Sequence, residues 1–424
     1  MKLLTVDTID EARKKIADRA KLWPRKTESI SLDQALGCIL AEDVYADNDI
    51  PSFRRSTVDG YAVIAADTAG AGESIPVFLK QTGSVLMGKP ADFSIQSGEC
   101  GYVPTGGMLP GGADAVVMIE YSESLSNGKP LSVGKHAGEV VALNDTVAPG
   151  TGTVEVGEDL RKGKLLLGRG TFLRPQEIGA LAAAGITNLF TFSPLVLGLI
   201  STGDELVSPE QTPAPGEIRD VNTYALKALA VKHGYRVISV QVLPDDEQLL
   251  EAAVLELLPL TDIVVISGGS SQGEKDLTER IINRAATPGV FTHGLAVKPG
   301  KPTILGWDEK TKTLFAGLPG HPVSAMMVFE LLFGNDQLVM SDEQRKMKKE
   351  FPVPARISCN VFGAPGKTVC QPVVLTFKEG GYFAEPVFGK SGMIVTLTHA
   401  DGYIIIDQNK EGLKKDEPVL VHLF

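Results

Sequence analysis

What most constrains the fold of this chain is a regular alternation of apolar runs and helical patterns between about residues 195 and 335. PLVLGLIS, YRVISVQVL, DIVVIS (262–267) and TLFAGL (313–318) read as strands. Between and after them, TYALKALAVKHG (223–234), DDEQLLEAAVLELL, DLTERIINRAA and VSAMMVFELLF read as helices. Gly234 lies just past the first helix, where a left-handed cap is needed, and acids open the second, where the helix dipole favours them. Strands that are apolar on both faces and separated by helices predict a mostly parallel, doubly wound sheet covered on both sides.

Such a sheet binds ligands outside the carboxyl ends of its strands. Four loops are expected to gather there. SGGSSQGEKD (267–276) follows an apolar strand and opens a helix; Gly268, Gly269 and Gly273, with Ser271 between them, can turn exposed N–H groups toward an anion at the helix N-terminus. A ligand-free Gly-rich turn would carry the same signature, and no Walker lysine follows. VKPGKPTILG (297–306) sets Lys298 and Lys301 across a Pro-Gly turn, able to address one anion or simply to lie in solvent. STGDEL (201–206) brings Asp204 and Glu205 to the same edge, followed by Asp220 and Asn222; carboxylates beside a phosphate cradle predict Mg²⁺, which takes oxygen ligands shared with phosphate. In GLPGHPVSA (317–325), Pro322 can start a helix, although a tight strand-to-helix turn explains the segment almost as well.

The remainder divides by pattern. Residues 7–23 read as an amphipathic helix capped by Asp7 or Thr8, with Ile9, Ala12, Ile16, Ala17 and Ala20 on one face. A short helix is expected over Leu32–Leu36, stopped by Gly37, and a strand over 39–46. Residues 50–135 hold short β-prone runs punctuated by Gly, Pro and Asp, which predicts a small all-β domain. Within it lie Asp59-Gly60, equally readable as a turn, and Thr105. A helix opens at RPQEIGALAAAGI (174–186), and residues 350–424 return to short strands, a small barrel or sandwich.

Charge narrows the partners. The formal net charge of −11 repels nucleic acid and anionic lipid, so an anionic ligand needs a locally basic site. Cys38, Cys100, Cys359 and Cys370 form no C-x-x-C pair, which argues against thiolate zinc and for a reducing compartment. The N-terminal apolar start is too short for a signal segment and no run reaches membrane-spanning length, so the expectation is a cytoplasmic protein with no membrane partner.

Taken in order, VDGYAV, PTGGMLPGGADAVV, GEDLRKG, STGDELV, RDVNTYAL, ISGGSSQGEKD, LAVKPGKP and GLPGHPVSA resemble the MoeA family, the molybdopterin molybdenumtransferases, whose eukaryotic relative is the C-terminal half of gephyrin. The resemblance runs from about residue 30 to 335 and continues with weaker motifs to the end. It implies a multidomain α/β plus β chain: an elongated linker/helical domain (1–48 and 136–186), a small β domain (49–135), a MogA-like α/β molybdopterin-binding domain (187–340) and a C-terminal β-barrel (348–424). It also implies a Mg²⁺-dependent reaction in which adenylylated molybdopterin and molybdate yield AMP and molybdenum held on the dithiolene.

The family works as a homodimer with its site between the α/β domain of one subunit and the β domain of the other. By that resemblance Asp59 and Thr105 would be supplied across the dimer, and Asp159 would lie near the cleft. Glu205, Asp220 and Asp276 would supply the acidic, metal-holding part, and Lys298 and Lys301 would bind oxyanion or phosphate. Gly268, Gly269, Ser271, Gly273, Pro319, Gly320, Pro322, Ser324 and Ser391 would contact the pterin ligand. A molybdopterin adenylyltransferase or an apo-molybdoenzyme would be the protein partner.

The sequence also departs from the family pattern. The acid of a P-x-F-D segment is Arg54 here, and a stretch that usually carries arginine reads Val154, Glu155, Val156. GGVSVG becomes GGSSQG with Gln272, and GNPVS becomes GHPVS with His321, a neutral hydrogen-bonding substitute for Asn. These exchanges are expected to rewrite the field around an anionic ligand. They keep a molybdopterin-binding carrier or scaffold without turnover open as a reading; a tungstate-inserting variant is open because the two oxyanions are nearly isosteric, and the neighbouring adenylyltransferase, whose single α/β domain resembles residues 195–335, is opposed by the extra β domains and the DGYAV segment.

Overall fold

The computed structural model describes residues 6–126, 129–130, 138–268, 274–334, 351–378 and 380–424. Gly269, Ser271, Gln272 and Gly273, and the side chain of Asp276, lie outside the described residues. The chain forms two compact units, residues 1–28 with 192–424, and residues 29–191. Its six α-helices, among the described residues, are α1 (Ile9–Ala20), α2 (Pro175–Ala183), α3 (Asn222–Lys232), α4 (Glu247–Leu257), α5 (Glu274–Ala285) and α6 (Pro322–Phe333). Among the described residues no helix is long and apolar enough to cross a membrane.

The first unit is built on a six-stranded sheet in the order 236–243, 196–202, 263–268, 313–319, 304–308, 288–293. The first four strands are parallel and the last two antiparallel. Every residue of Thr313–Pro319 is buried, as expected for a strand covered on both faces. One face packs against α4 and α5, through Leu250, Val254 and Ile281. The other packs against α3, α6 and α1, through Leu226, Phe329 and Ile16.

Helix α1 begins at a complete capping box: Thr8 Oγ1 accepts from the Glu11 amide, and the Glu11 carboxylate accepts from the Thr8 amide. Its Ile9, Ala12, Ile16 and Ala20 are buried at helical spacing, so residues 9–20 belong to the core of the first unit. Trp23, just beyond, packs on Trp307, the two ring centroids 6.1 Å apart.

The C-terminal residues close a barrel. Strands 368–378, 381–386, 353–357, 418–423 and 402–406 pair in that order, and 402–406 pairs back onto 368–378. Closure leaves no free edge, which suits a small all-β body. Val297–Lys298, which opens the lysine loop, adds in parallel to Thr368–Val369 of the barrel. Cys370, Leu397 and Tyr403 share the α/β core. These two segments therefore make one body.

The second unit carries a seven-stranded sheet in the order 115–118, 60–63, 99–103, 77–84, 140–143, 122–126, 129–130. The expected helix at 32–36 is a 3₁₀ turn, Leu32–Gln34, and in the expected strand at 39–46 only Val44–Tyr45 pairs as one. Both segments are too short for helix or ladder cooperativity, and single bridges such as Leu40 to Thr191 hold them instead. Helix α2 has Pro175 in its first turn, as the sequence predicts.

Candidate functional site

The parallel strands of the first unit end level with one another. Thr202 is the register partner of Gly268, and Gly268 of Pro319, so the three loops that follow leave from one edge. Gly268 is needed there for packing: a Cβ would lie 2.6 Å from the Thr202 carbonyl oxygen. Ile304 pairs with Gly317 in the antiparallel sense, which delivers the end of the lysine loop to the same edge.

The segment Asp220–Thr223 is stitched to these strand ends. Thr223 donates its amide to Asp220 Oδ1 and its hydroxyl to Ser201 Oγ. Asn222 Nδ2 donates to Ser267 Oγ and to the Gly320 carbonyl, both at 2.8 Å. Two oxygens of this buried cluster, Asp220 Oδ2 and Asn222 Oδ1, have no hydrogen-bond partner among the described residues. A buried, unsatisfied carboxylate oxygen is costly and marks a place where a ligand or cation gains most. Glu205 is exposed, as is Asp204, whose Oδ1 accepts from the Asp245 amide in a local turn. Among the described residues no three His, Cys, Asp or Glu side chains stand close enough to hold a metal ion.

Beside Pro319 a cavity of about 950 Å³ opens between the lysine loop, the start of α6 and the C-terminal barrel. Four lysines line it: Lys298 and Lys301 from the loop, Lys367 from the barrel turn and Lys390 from the GKSGM segment. Among the described residues no Asp or Glu lines it. In a chain of net charge −11 this is a locally cationic, partly low-dielectric space, which favours an anion through Coulomb attraction that bulk water would screen. The loop conformation depends on Gly300, which has φ +115° and whose Cβ would fall inside van der Waals contact of Val328 Cγ2. Thr303 Oγ1 donates to the Gly300 carbonyl and closes the turn.

Hydroxyls complete the wall. Ser324 in α6 and Ser391 both line the cavity, and His321 Nδ1 is 2.8 Å from Ser391 Oγ. The Val323 amide, in the first turn of α6, donates to the Ser391 carbonyl, so an otherwise orphan helix donor is spent on tying α6 to this segment. Cys370 lies at the floor with its thiol pushed up to about 12 by burial, so it stays neutral. Gly320 and Pro322 flank Pro319 and His321 in the chain.

Of the residues expected at the site from sequence, Lys298, Lys301, Pro319, Ser324 and Ser391 all come to one cavity in the fold. Lys367 and Lys390 join them although each is a Gly-Lys with no local signal of a ligand; only barrel closure carries them to the loop.

In the second unit, the Thr105 amide donates to Asp59 Oδ1 at 2.6 Å, so these two candidates are neighbours. Burial raises the nearby Tyr102 hydroxyl, and the Asp59 charge raises it further. Gly60 admits the close approach of the Ala115–Met118 strand, since a Cβ there would overlap the Val117 carbonyl. Asp159 is exposed, and its amide donates to the Ile50 carbonyl. The exchanged residues Arg54 and Glu155 form an ion pair of 2.9 Å, and Arg54 also donates to the Ala113 carbonyl. The charges of Arg54 and Glu155 thus offset each other locally.

Comparison with known proteins covers the chain in three consecutive stretches. Residues 7–185 match the MoeA N-terminal region (domain I and II), residues 198–338 a probable molybdopterin binding domain, and residues 354–424 the MoeA C-terminal region (domain IV). The molybdopterin molybdenumtransferase of Haemophilus influenzae is 30% identical over 98% of both chains. That of Bacillus subtilis is 29% identical over 98% of this chain and 93% of its own. A molybdopterin biosynthesis MoeA protein from Pyrococcus horikoshii superposes with a TM-score of 0.76 at 34% identity, covering 99% of each chain.

Proposed function

The chain belongs to the MoeA family, and from that membership we propose that it is a molybdopterin molybdenumtransferase acting in molybdenum cofactor biosynthesis. Its substrates are adenylylated molybdopterin and molybdate, and its products are AMP and molybdopterin carrying molybdenum on the dithiolene. The observation that carries this reading is the cavity lined by Lys298, Lys301, Lys367 and Lys390 with no carboxylate among the described residues. Molybdate is a tetrahedral dianion, and AMP leaves as a phosphate anion. Both need fixed positive charge more than they need covalent help from the protein.

In this scheme Lys298 and Lys301 hold the oxyanion, Ser324 and Ser391 donate to its remaining oxygens, and Pro319 and Pro322 shape the wall. The strand ends at Thr202 and Gly268, with Gly320, would meet the phosphate-bearing part of the ligand, and by the family resemblance Gly269, Ser271 and Gly273, outside the described residues, would bind it too. Asp220, whose buried Oδ2 has no partner among the described residues, fits a hard cation. Magnesium would be held there with Glu205 and Asp276, and when bound it offsets phosphate charge. Asp59, Thr105 and Asp159 act from a second copy of the chain in a homodimer. A cytoplasmic setting, with a molybdopterin adenylyltransferase upstream or an apo-molybdoenzyme downstream, completes the reading.

The test is AMP release from adenylylated molybdopterin with Mg²⁺ and molybdate, or tungstate, by the wild type and by Lys298→Ala. Oxyanion- and Mg²⁺-dependent AMP release that falls about 100-fold or more in the variant is expected. Tight pterin binding with no AMP release in the wild type would replace the transferase with a carrier, and a response to tungstate alone would change the cargo.

A further inference from the structure

The contact between His321 and Ser391 spans 70 residues of sequence and sits on the wall of the lysine cavity. It joins a ring nitrogen to a hydroxyl, and the direction of that hydrogen bond decides what Ser391 can offer an anion. If Nδ1 is bare it accepts the Ser391 proton, and Oγ turns only lone pairs toward the cavity. If Nδ1 carries a proton it donates to Oγ, and the Ser391 O–H is free to donate to an oxyanion. Protonating the imidazole enforces the second arrangement and adds a fifth positive charge beside the four lysines.

Resting on the anion-binding reading of this cavity, we propose that His321 is a positioning residue whose protonation turns Ser391 into an oxyanion donor, so that anion affinity rises as pH falls through the imidazole range. Three features of the site support it. The residue is solvent-accessible, so protons reach it. The Val323 amide holds the Ser391 backbone, so the hydroxyl responds by rotating and the segment stays in place. The charged and titratable groups that line the space among the described residues are Lys298, Lys301, Lys367 and Lys390 and the buried Cys370 thiol, which burial keeps neutral, and no described carboxylate is among them. By linkage, an anion that prefers the protonated ring raises the proton affinity of the ring to the same degree.

The experiment is calorimetric titration of sulfate, whose charge is constant over this range, between pH 5.5 and 8.5, with molybdate as competitor. Wild type, His321→Asn, His321→Gln and Ser391→Ala are compared. Imidazole ¹⁵N chemical shifts of His321 are followed with and without sulfate. The wild type is expected to bind about tenfold more tightly at the acid end, with the His321 titration moving up by about one pH unit on sulfate addition. His321→Asn should bind with a flat pH profile, and Ser391→Ala should lose much of the slope. An equal slope in wild type and His321→Asn, or a His321 titration indifferent to sulfate, overturns the proposal while leaving the transferase reading intact. Absence of sulfate and molybdate binding at every pH overturns the anion-site reading on which it rests.

Discussion

Arg54 Nε lies 2.9 Å from Glu155 Oε1, an ion pair between the two segments, at Arg54 and at 154–156, expected from the sequence to depart from the family's motifs. The pair bridges 101 residues of sequence, so two charges far apart along the chain meet in the fold. Both side chains are substantially exposed, at 35% and 55%, and solvent screening limits their coupling to ~0.2–1 kcal/mol. A double-mutant cycle by urea denaturation checks this: Arg54→Asp and Glu155→Arg should each destabilise, and the double variant should recover part of the loss. The Arg54 change should cost more, because it also abandons the Ala113 carbonyl. Strict additivity of the two single changes would show that the pair does not couple.

Lys367 and Lys390 should matter to ligand binding although nothing in their local sequence marks them. Removing either leaves three lysines on the cavity. Each replacement by Ala is expected to weaken oxyanion binding by about fivefold, corresponding to ~1 kcal/mol for one solvent-screened charge. Thermal stability should stay near that of the wild type. Equilibrium dialysis with molybdate at low and moderate salt reads both the loss and its screening, and unchanged affinity in both variants would confine the anion to the loop lysines.

Gly300→Ala tests the lysine loop as a scaffold. The position has φ +115°, and the added methyl meets Val328 in α6. Strain and overpacking together should cost ~2–4 kcal/mol. Molybdate affinity should fall even under conditions where the variant is fully folded, because Lys298 and Lys301 are displaced. Denaturant unfolding followed by a binding isotherm separates these effects, and a stable variant with intact affinity would show that the loop adapts.

The buried thiols set an alkaline limit. Burial pushes the Cys100 and Cys370 thiols from 9.0 to about 12. A group whose folded pKa lies above its unfolded value gives its full contribution below the unfolded value and loses it as pH rises toward the folded one. Stability should therefore hold up to about pH 9 and decline between pH 9 and 12. Cys370→Ala should flatten that decline in urea melts at pH 8 and 10.5. At pH 8 iodoacetamide should modify Cys38 and Cys359, both partly exposed, and spare Cys100 and Cys370.

Short-range physics wrote much of this protein into its sequence. The apolar runs 196–202, 263–268 and 313–319, alternating with helical patterns, read as doubly covered strands, and Asp7 or Thr8 before an apolar stripe at helical spacing reads as a helix start. The carboxyl-edge rule for parallel strands then placed the loops after Ser201, Ser267 and Leu318 on one side. What spacing along the chain could not contain was the meeting of distant turns. Backbone pairing of Val297–Lys298 with Thr368–Val369, closure of the 402–406 strand onto 368–378, and the Val323–Ser391 hydrogen bond bring Lys367, Lys390 and Ser391 to the Lys298 loop. Those contacts come from hydrogen-bond registers and shared core packing, which carry no periodic mark in the residues they unite. The sequence therefore determined the elements and their order, while the charge of the cavity and the partner of Arg54 were decided only when the chain folded.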